Sequence, residues 1–235
     1  MRSVEERIRQ NLQHVRGRIA EAAKRSGRSA GAVRLVAVTK KWPVDLVRLL
    51  VEAGARDLGE NYPQELWRKA ETLGVWTPPI RWHLIGHLQS NKARRTLPLV
   101  TMIHSVDSLR LLSGIQLLGE ETGAAPELLL QVNTSGEASK HGWAPSELLH
   151  DAEAIAGCNR VPIVGLMTMA AWGTDAETAR PSFVQLRELR DELARRTGLG
   201  LAELSMGMSG DFEAAVEEGA TLVRIGTALL EGIEV

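Results

Sequence analysis

The sequence predicts an α/β protein, a single (β/α)8 TIM barrel preceded by an extra N-terminal helix. Three observations carry that expectation. Strand-like and helix-like stretches alternate from residue 34 to residue 231 and count to eight units without remainder. Those units occupy about 200 residues, which suits a closed barrel of the usual ~250-residue size. No GxGxxG turn follows the first strand, which disfavours an open doubly wound sheet. No linker or low-complexity tract divides residues 1–235, so one domain is expected.

Residues 3–25 carry Val4, Ile8, Leu12, Val15, Ile19 and Ala22 as one apolar stripe with basic residues between, the pattern of an amphipathic helix packed on the body. After a small-residue connector at 27–31 comes RLVAVTKKWP, residues 34–43. Its core, 35–39, reads as a strand buried on both faces and runs into Lys40 and Lys41. Successive side chains leave a strand on opposite sides, so only one of these lysines can follow the inward-facing set. The plain alternative is that both ammonium groups reach solvent at the strand end. Pro43 suits the first turn of a helix over 44–53, and Gly54 its C-terminal cap.

The alternation then continues. Strands are expected at 56–59, 80–85, 102–106, 127–133, 162–167, 203–206 and 221–225. Helices are expected to follow them at 63–73, 91–97, 108–122, 145–156, 176–196, 211–218 and 227–231.

Composition narrows the function classes. The chain is 44% hydrophobic and 24% charged, with 28 basic and 29 acidic residues, so no global field recommends nucleic acid or an anionic membrane. An anion must be bound locally. No apolar run approaches the ~20 residues of a membrane span, and MRSVEERIRQ lacks a signal-peptide core, so a cytoplasmic location is expected. Cys158 is the sole cysteine and reads as structural.

Barrel chemistry gathers at the C-terminal ends of the strands, often with a phosphate held after strands seven and eight. The seventh loop, SMGMSGD at 205–211, has glycines that admit a ligand to the backbone and Ser209 as a hydroxyl donor before a helix. The eighth, RIGT at 224–227, repeats a glycine and a hydroxyl. Singly, each is ordinary turn and cap chemistry. Together, beside Lys40 on the neighbouring first strand, they set an amine, an arginine and a phosphate cradle around one opening. That combination suits pyridoxal 5'-phosphate. Its aldehyde needs a partly neutral amine, and its phosphate wants N–H and hydroxyl donors. Arg224 can face the ring nitrogen, where a permanently protonated guanidinium disfavours a second proton and weakens the ring as an electron sink.

Several ordered motifs resemble one family. AVTK at 37–40, GENYPQE at 59–65, WHLIGHLQSNK at 82–92, QVNTSGEASKHGW at 131–143, GLMTM at 165–169 and the run from 205 to 232 are similar to the YggS/PROSC family, the pyridoxal phosphate homeostasis proteins. The match spans nearly the whole chain. The resemblance implies a barrel like the alanine racemase N-terminal domain (PLP fold type III) that holds pyridoxal 5'-phosphate as a lysine Schiff base without established turnover. By position, it implies Lys40 rather than Lys41 as the Schiff-base lysine, Ser209, Gly226 and Thr227 as phosphate contacts, and Arg224 as the ring-nitrogen partner. Asn61, His83 and Met206 fall in motifs that line the pocket, and Lys140 matches a second lysine near it. Trp42, Pro63 and the ending ALLEG depart from the family pattern. Expected partners are the cofactor and, transiently, apo forms of PLP enzymes, with the chain a monomer and neither nucleic acid nor membrane involved.

Other readings are weaker. His83 and His87 share the i, i+4 spacing of a zinc pair, but Gly86 breaks any helix between them, so no metal is expected. The basic run at 91–95 reads as a solvated face, and the tryptophans form no stacking stripe. Glu217 and Glu218 diverge on a helix and make no acid/base pair. The serious rival is an amino-acid racemase or decarboxylase using the same cofactor. Alanine racemase supplies its second base as a tyrosine from an added β domain, whereas here Tyr62 is the one tyrosine and the eighth unit runs directly to Val235. A cofactor-free Schiff-base aldolase would keep Lys40 but has no need of Arg224 beside a phosphate cradle.

Overall fold

In the computed structural model, which describes residues 3–137, 140–171, 173 and 175–233, β1 (Arg34–Val38) pairs in parallel with both β2 (Asp57–Glu60) and β8 (Leu222–Ile225). The sheet therefore closes, through β3 (Arg81–Leu84), β4 (Met102–Val106), β5 (Glu127–Gln131), β6 (Ile163–Met167) and β7 (Glu203–Ser205), into an eight-stranded barrel. Closure leaves no strand edge to be protected.

The two-residue period of each strand divides its side chains between two cores. Val36, Met102, Leu129, Met167 and Leu222 cluster inside the barrel. Their neighbours, among them Ala37, Leu58, Leu84, Ile103, Leu130, Leu166 and Val223, face outward into the larger core beneath the helices. This is why the strands read as unbroken apolar runs. β6 and β7 approach closely at Gly165, where a Cβ would lie 1.9 Å from the Glu203 carbonyl oxygen.

The outer helices are α2 (Val44–Glu52), α3 (Pro63–Leu73), α4 (Ser90–Thr96), α5 (Leu109–Thr122), α6 (Pro145–His150), α7 (Ala152–Ala156), α8 (Ala176–Thr197) and α9 (Phe212–Glu217). Two expectations differ in detail. The helix expected at 145–156 divides at Asp151, whose carboxylate accepts the Trp143 indole N–H at 2.8 Å. The eighth outer helix is only a single 3-10 turn, Thr227–Leu229.

The N-terminal helix α1 (Val4–Arg25) compensates for that short turn. A capping box opens it: Ser3 Oγ accepts the Glu6 N–H, and the Glu6 carboxylate accepts the Ser3 N–H. Its stripe of Ile8, Leu12, Val15, Ile19 and Ala22 is buried, and it packs against α2, α9 and the Thr227–Leu229 turn. Asn11 Nδ2 donates to the Leu229 and Glu231 carbonyls at 3.2 and 3.0 Å. Arg18 grips Glu213 of α9 with two hydrogen bonds of 2.9 and 2.8 Å. The helix thus fills the outer position between α9 and α2. Among the described residues, no helix is long and apolar enough to cross a membrane.

Candidate functional site

The exit of β1 is fixed by a buried ion pair that the sequence reading did not find. Lys69 of α3 and Glu60 at the end of β2 are both fully buried, with Lys69 Nζ 2.6 Å from Glu60 Oε1. Thr39 joins them: its hydroxyl donates to Glu60 Oε1 at 2.6 Å, and its carbonyl accepts Lys69 Nζ at 2.7 Å. Among the described residues, Glu60 Oε2 has no hydrogen-bond partner.

Lys40 follows directly. Val36 belongs to the interior cluster and the path of β1 runs on through Val38; Lys40, exposed, lies in the turn just past the strand's end at the barrel mouth. Lys41 leaves that path, its backbone turning into the left-handed region at φ 68°. Lys40, Asn61, Gly226 and Thr227 border one cavity of about 520 Å³, with Trp42 and Tyr62 on its wall and Lys41 at its rim. That volume suits a small ligand.

The loops after β7 and β8 meet beside this cavity. Ser209 Oγ accepts the Ala228 N–H at 3.4 Å, joining the seventh loop to the Thr227–Leu229 turn. Gly226, at the turn's N-terminus, has no side chain to cap it, and Ser209 supplies that bond from the seventh loop. A Cβ on Gly226 would come within 3.4 Å of Val38, so the eighth loop lies close against β1. In the seventh loop, Asp211 Oδ1 accepts the Met208 N–H at 2.6 Å, and burial pushes its carboxyl above the usual range. The hydroxyls of Thr227 and Ser209 and the N–H groups at the start of the turn form a donor set that fits a phosphate.

Arg224 lies inside the barrel, 4% exposed. Its guanidinium donates to Ser205 Oγ at 2.6 Å and to the Thr168 carbonyl at 2.8 Å. Burial pushes its pKa down to about 10, against the opposing charge of Asp211, so it stays protonated at neutral pH. Ser205 also contacts His104 Nδ1 at 2.8 Å; His104 Nε2 contacts His83 Nδ1 at 2.9 Å, and His83 Nε2 contacts Asp57 at 3.0 Å. Arg81 closes the column with two hydrogen bonds to Asp57. Burial pushes Asp57 up, yet the hydrogen bonds from His83 and Arg81 prevail and hold its carboxyl well below the usual range. A polar column thus crosses the barrel interior from the N-terminal ends of β2 and β3 to Arg224.

Burial pushes His83 and His104 below the ordinary imidazole range, so the fold keeps them neutral while the unfolded chain protonates near pH ~6.5. Their contribution to stability is whole above that pH and declines as pH falls through it. Asp57 adds a second loss below about pH 4, as its carboxylate becomes protonated. The urea midpoint is accordingly expected to fall between pH 7 and pH 5, and His104→Gln to flatten that fall.

Four expected pocket residues do not line that cavity: Ser209 and Arg224, placed above, and Met206 and His83. Met206 is fully buried in the outer core, because Ser205 points inward and its neighbour must point outward. His83 is enclosed within the barrel and reaches the site only through His104, Ser205 and Arg224. Lys140 does not border the cavity: its Nζ donates to the Ala170 carbonyl at 2.5 Å and pairs with Glu137 at 2.8 Å. Ala138 and Ser139 of the same motif lie outside the described residues. Pro63 is the first residue of α3, and Trp42, 4% exposed, is part of the cavity wall. His104 and Ser205 carried a readable signal, each being a polar residue at an inward step of an otherwise apolar strand.

The chain matches the family model described as alanine racemase, N-terminal domain, over residues 7–232. It is 45% identical to the pyridoxal phosphate homeostasis protein of Pseudomonas aeruginosa over 94% of each chain. Against the human protein of that name, identity is 40% over 93% of this chain and 84% of the other. Among solved structures, PipY of Synechococcus elongatus with PLP bound superposes with a TM-score of 0.83 at 37% identity, covering 94% of this chain and 99% of that one. An alanine racemase from Clostridium difficile shares the fold, with a TM-score of 0.75 at 15% identity over 95% of this chain and 56% of that one.

Proposed function

The chain belongs to the YggS/PROSC family of pyridoxal phosphate homeostasis proteins, and from that premise we propose that it binds pyridoxal 5'-phosphate at the barrel mouth and buffers or delivers it. One observation carries this reading: Lys40, Asn61, Gly226 and Thr227 border a single cavity of about 520 Å³ at the C-terminal ends of β1, β2 and β8. When bound, the cofactor supplies an aldehyde that accepts an amine and a ring that draws electrons from it. Lys40 is the residue to hold the aldehyde. Ser209, Gly226 and Thr227 hold the phosphate, and Asn61 closes the wall opposite the eighth loop.

Arg224 sets the character of the site. Held by Ser205 and the Thr168 carbonyl, it presents a fixed positive charge and has no proton-accepting atom. With the cofactor bound, Arg224 would be the residue to face the ring nitrogen, and its fixed charge would disfavour protonation there and limit the electron demand of the ring. A site built this way retains a cofactor and transfers it in preference to turning over an amino acid. One observation favours a racemase-like second reading: Tyr62, the sole tyrosine, stands on the cavity wall.

Two measurements separate these readings. Loaded protein mixed with an apo PLP enzyme is expected to restore that enzyme's activity, while amino acids incubated with the loaded protein keep their α-protons. Rapid α-proton exchange with solvent, lost in Tyr62→Phe, would establish catalysis instead.

A further inference from the structure

Three loops at the C-terminal end of the barrel bring His87, Asp107 and His141 together, apart from the cavity bordered by Lys40. His87 follows β3, Asp107 follows β4, and His141 lies between β5 and α6. One ring nitrogen or carboxylate oxygen from each lies within 4.8 Å of the other two. Asp107 Oδ2 is the vertex, 2.9 Å from His87 Nδ1 and 3.9 Å from His141 Nδ1. The two imidazoles stack beside it with centroids 4.9 Å apart and planes inclined by 20°.

The loops that carry these groups are tied to the strands. Ser105 Oγ donates to the Gly86 carbonyl at 2.6 Å, fixing the backbone just before His87. Gln131 Nε2 donates to the His141 carbonyl at 2.8 Å. Gly142, at φ 114°, rests directly on β5, where a Cβ would come within 2.6 Å of the Gln131 carbonyl oxygen. Ser108 Oγ donates to Asp107 Oδ1 at 3.3 Å, so Oδ2 is the oxygen left for the histidines.

A simple hydrogen bond accounts for His87 and Asp107. It does not account for His141, whose Nδ1 faces the same oxygen from beyond hydrogen-bond range. Zinc bonds of ~2.0–2.2 Å to imidazole and carboxylate place tetrahedral ligand atoms roughly 3.3 Å apart. The two separations at Asp107 Oδ2, 2.9 and 3.9 Å, straddle that spacing.

We propose that His87, Asp107 and His141 form a binding site for a divalent transition-metal ion of the zinc type, with at least one coordination position open to solvent. Two imidazoles and one carboxylate are a donor set for Zn²⁺, Co²⁺ or Ni²⁺; Mg²⁺ and Ca²⁺ prefer oxygen throughout. Both histidines are exposed, so an ion can enter without rearrangement of the core.

Co²⁺ titrated into the full chain serves as the spectroscopic probe, with Zn²⁺ as competitor. Visible ligand-field bands are expected to saturate at one ion per chain and to vanish on Zn²⁺ addition. His87→Ala and His141→Ala are each expected to weaken Zn²⁺ binding by at least about 100-fold, more than the 10–100-fold that follows loss of an outer-shell partner. Lys40→Ala and His150→Ala are expected to bind as the parent does, which keeps this result separate from the cofactor site. Bands of undiminished affinity in both His87→Ala and His141→Ala, or none with millimolar Co²⁺, overturn the proposal.

Discussion

Lys40→Ala, mixed with pyridoxal 5'-phosphate, is expected to stay colourless and to yield no cofactor adduct after borohydride reduction, whereas Lys41→Ala gives a yellow protein and a stable adduct on Lys40. Lys40 comes first after the exit of β1, and the left-handed backbone at Lys41 turns the chain immediately after it. Both amines border the cavity, so proximity alone does not choose between them. Peptide mapping of the reduced protein reads the choice directly. An unchanged visible band and adduct in Lys40→Ala would move the attachment point to Lys41 or beyond.

The largest effect on stability is expected from Lys69→Met. The substitution leaves Glu60 buried without its cation, and one of its two oxygens already lacks a partner among the described residues. Breaking a buried pair from one side costs about 3–5 kcal/mol, much of it the stranded charge. Urea unfolding at pH 7 measures that loss. The double variant Lys69→Met/Glu60→Leu is expected to recover most of it, because apolar replacement removes both desolvation penalties together. Cofactor affinity of the double variant then answers a separate question. Glu60 and Lys69 hold Thr39, the residue before Lys40, so weaker binding in a stable double variant would assign the pair to orienting the lysine.

The barrel is legible in the sequence because every strand pairs with its sequence neighbour, so a count of strand and helix units describes the topology. The N-terminal helix was legible from its stripe, but its place in the ring was not. That place depends on the eighth unit ending in one 3-10 turn, which local periodicity over a few residues does not reveal. Lys40, Asn61, Gly226 and Thr227 came together as expected because strand-exit loops at adjacent positions share one face of a barrel. The positions of Met206 and His83 away from the cavity are not legible, because motif membership says nothing of which side of a strand a residue takes. The Lys69–Glu60 pair escaped notice because the partners sit on different elements, and an acidic residue at a strand end and a lysine within a helix look like surface charges until packing encloses them.

The position of α1 also bears on how the protein is made. The ribosome delivers this helix well before its partners in α9 and the Thr227–Leu229 turn; Asn11 and Leu229 are 218 residues apart. Until those partners emerge, α2 and the segment before β1 offer its apolar stripe only part of its native surface. Closing so long a loop carries an entropic cost and slows folding. Docking of α1 onto α9 and the Thr227–Leu229 turn then completes the outer wall beside β1 and the lysine that follows it.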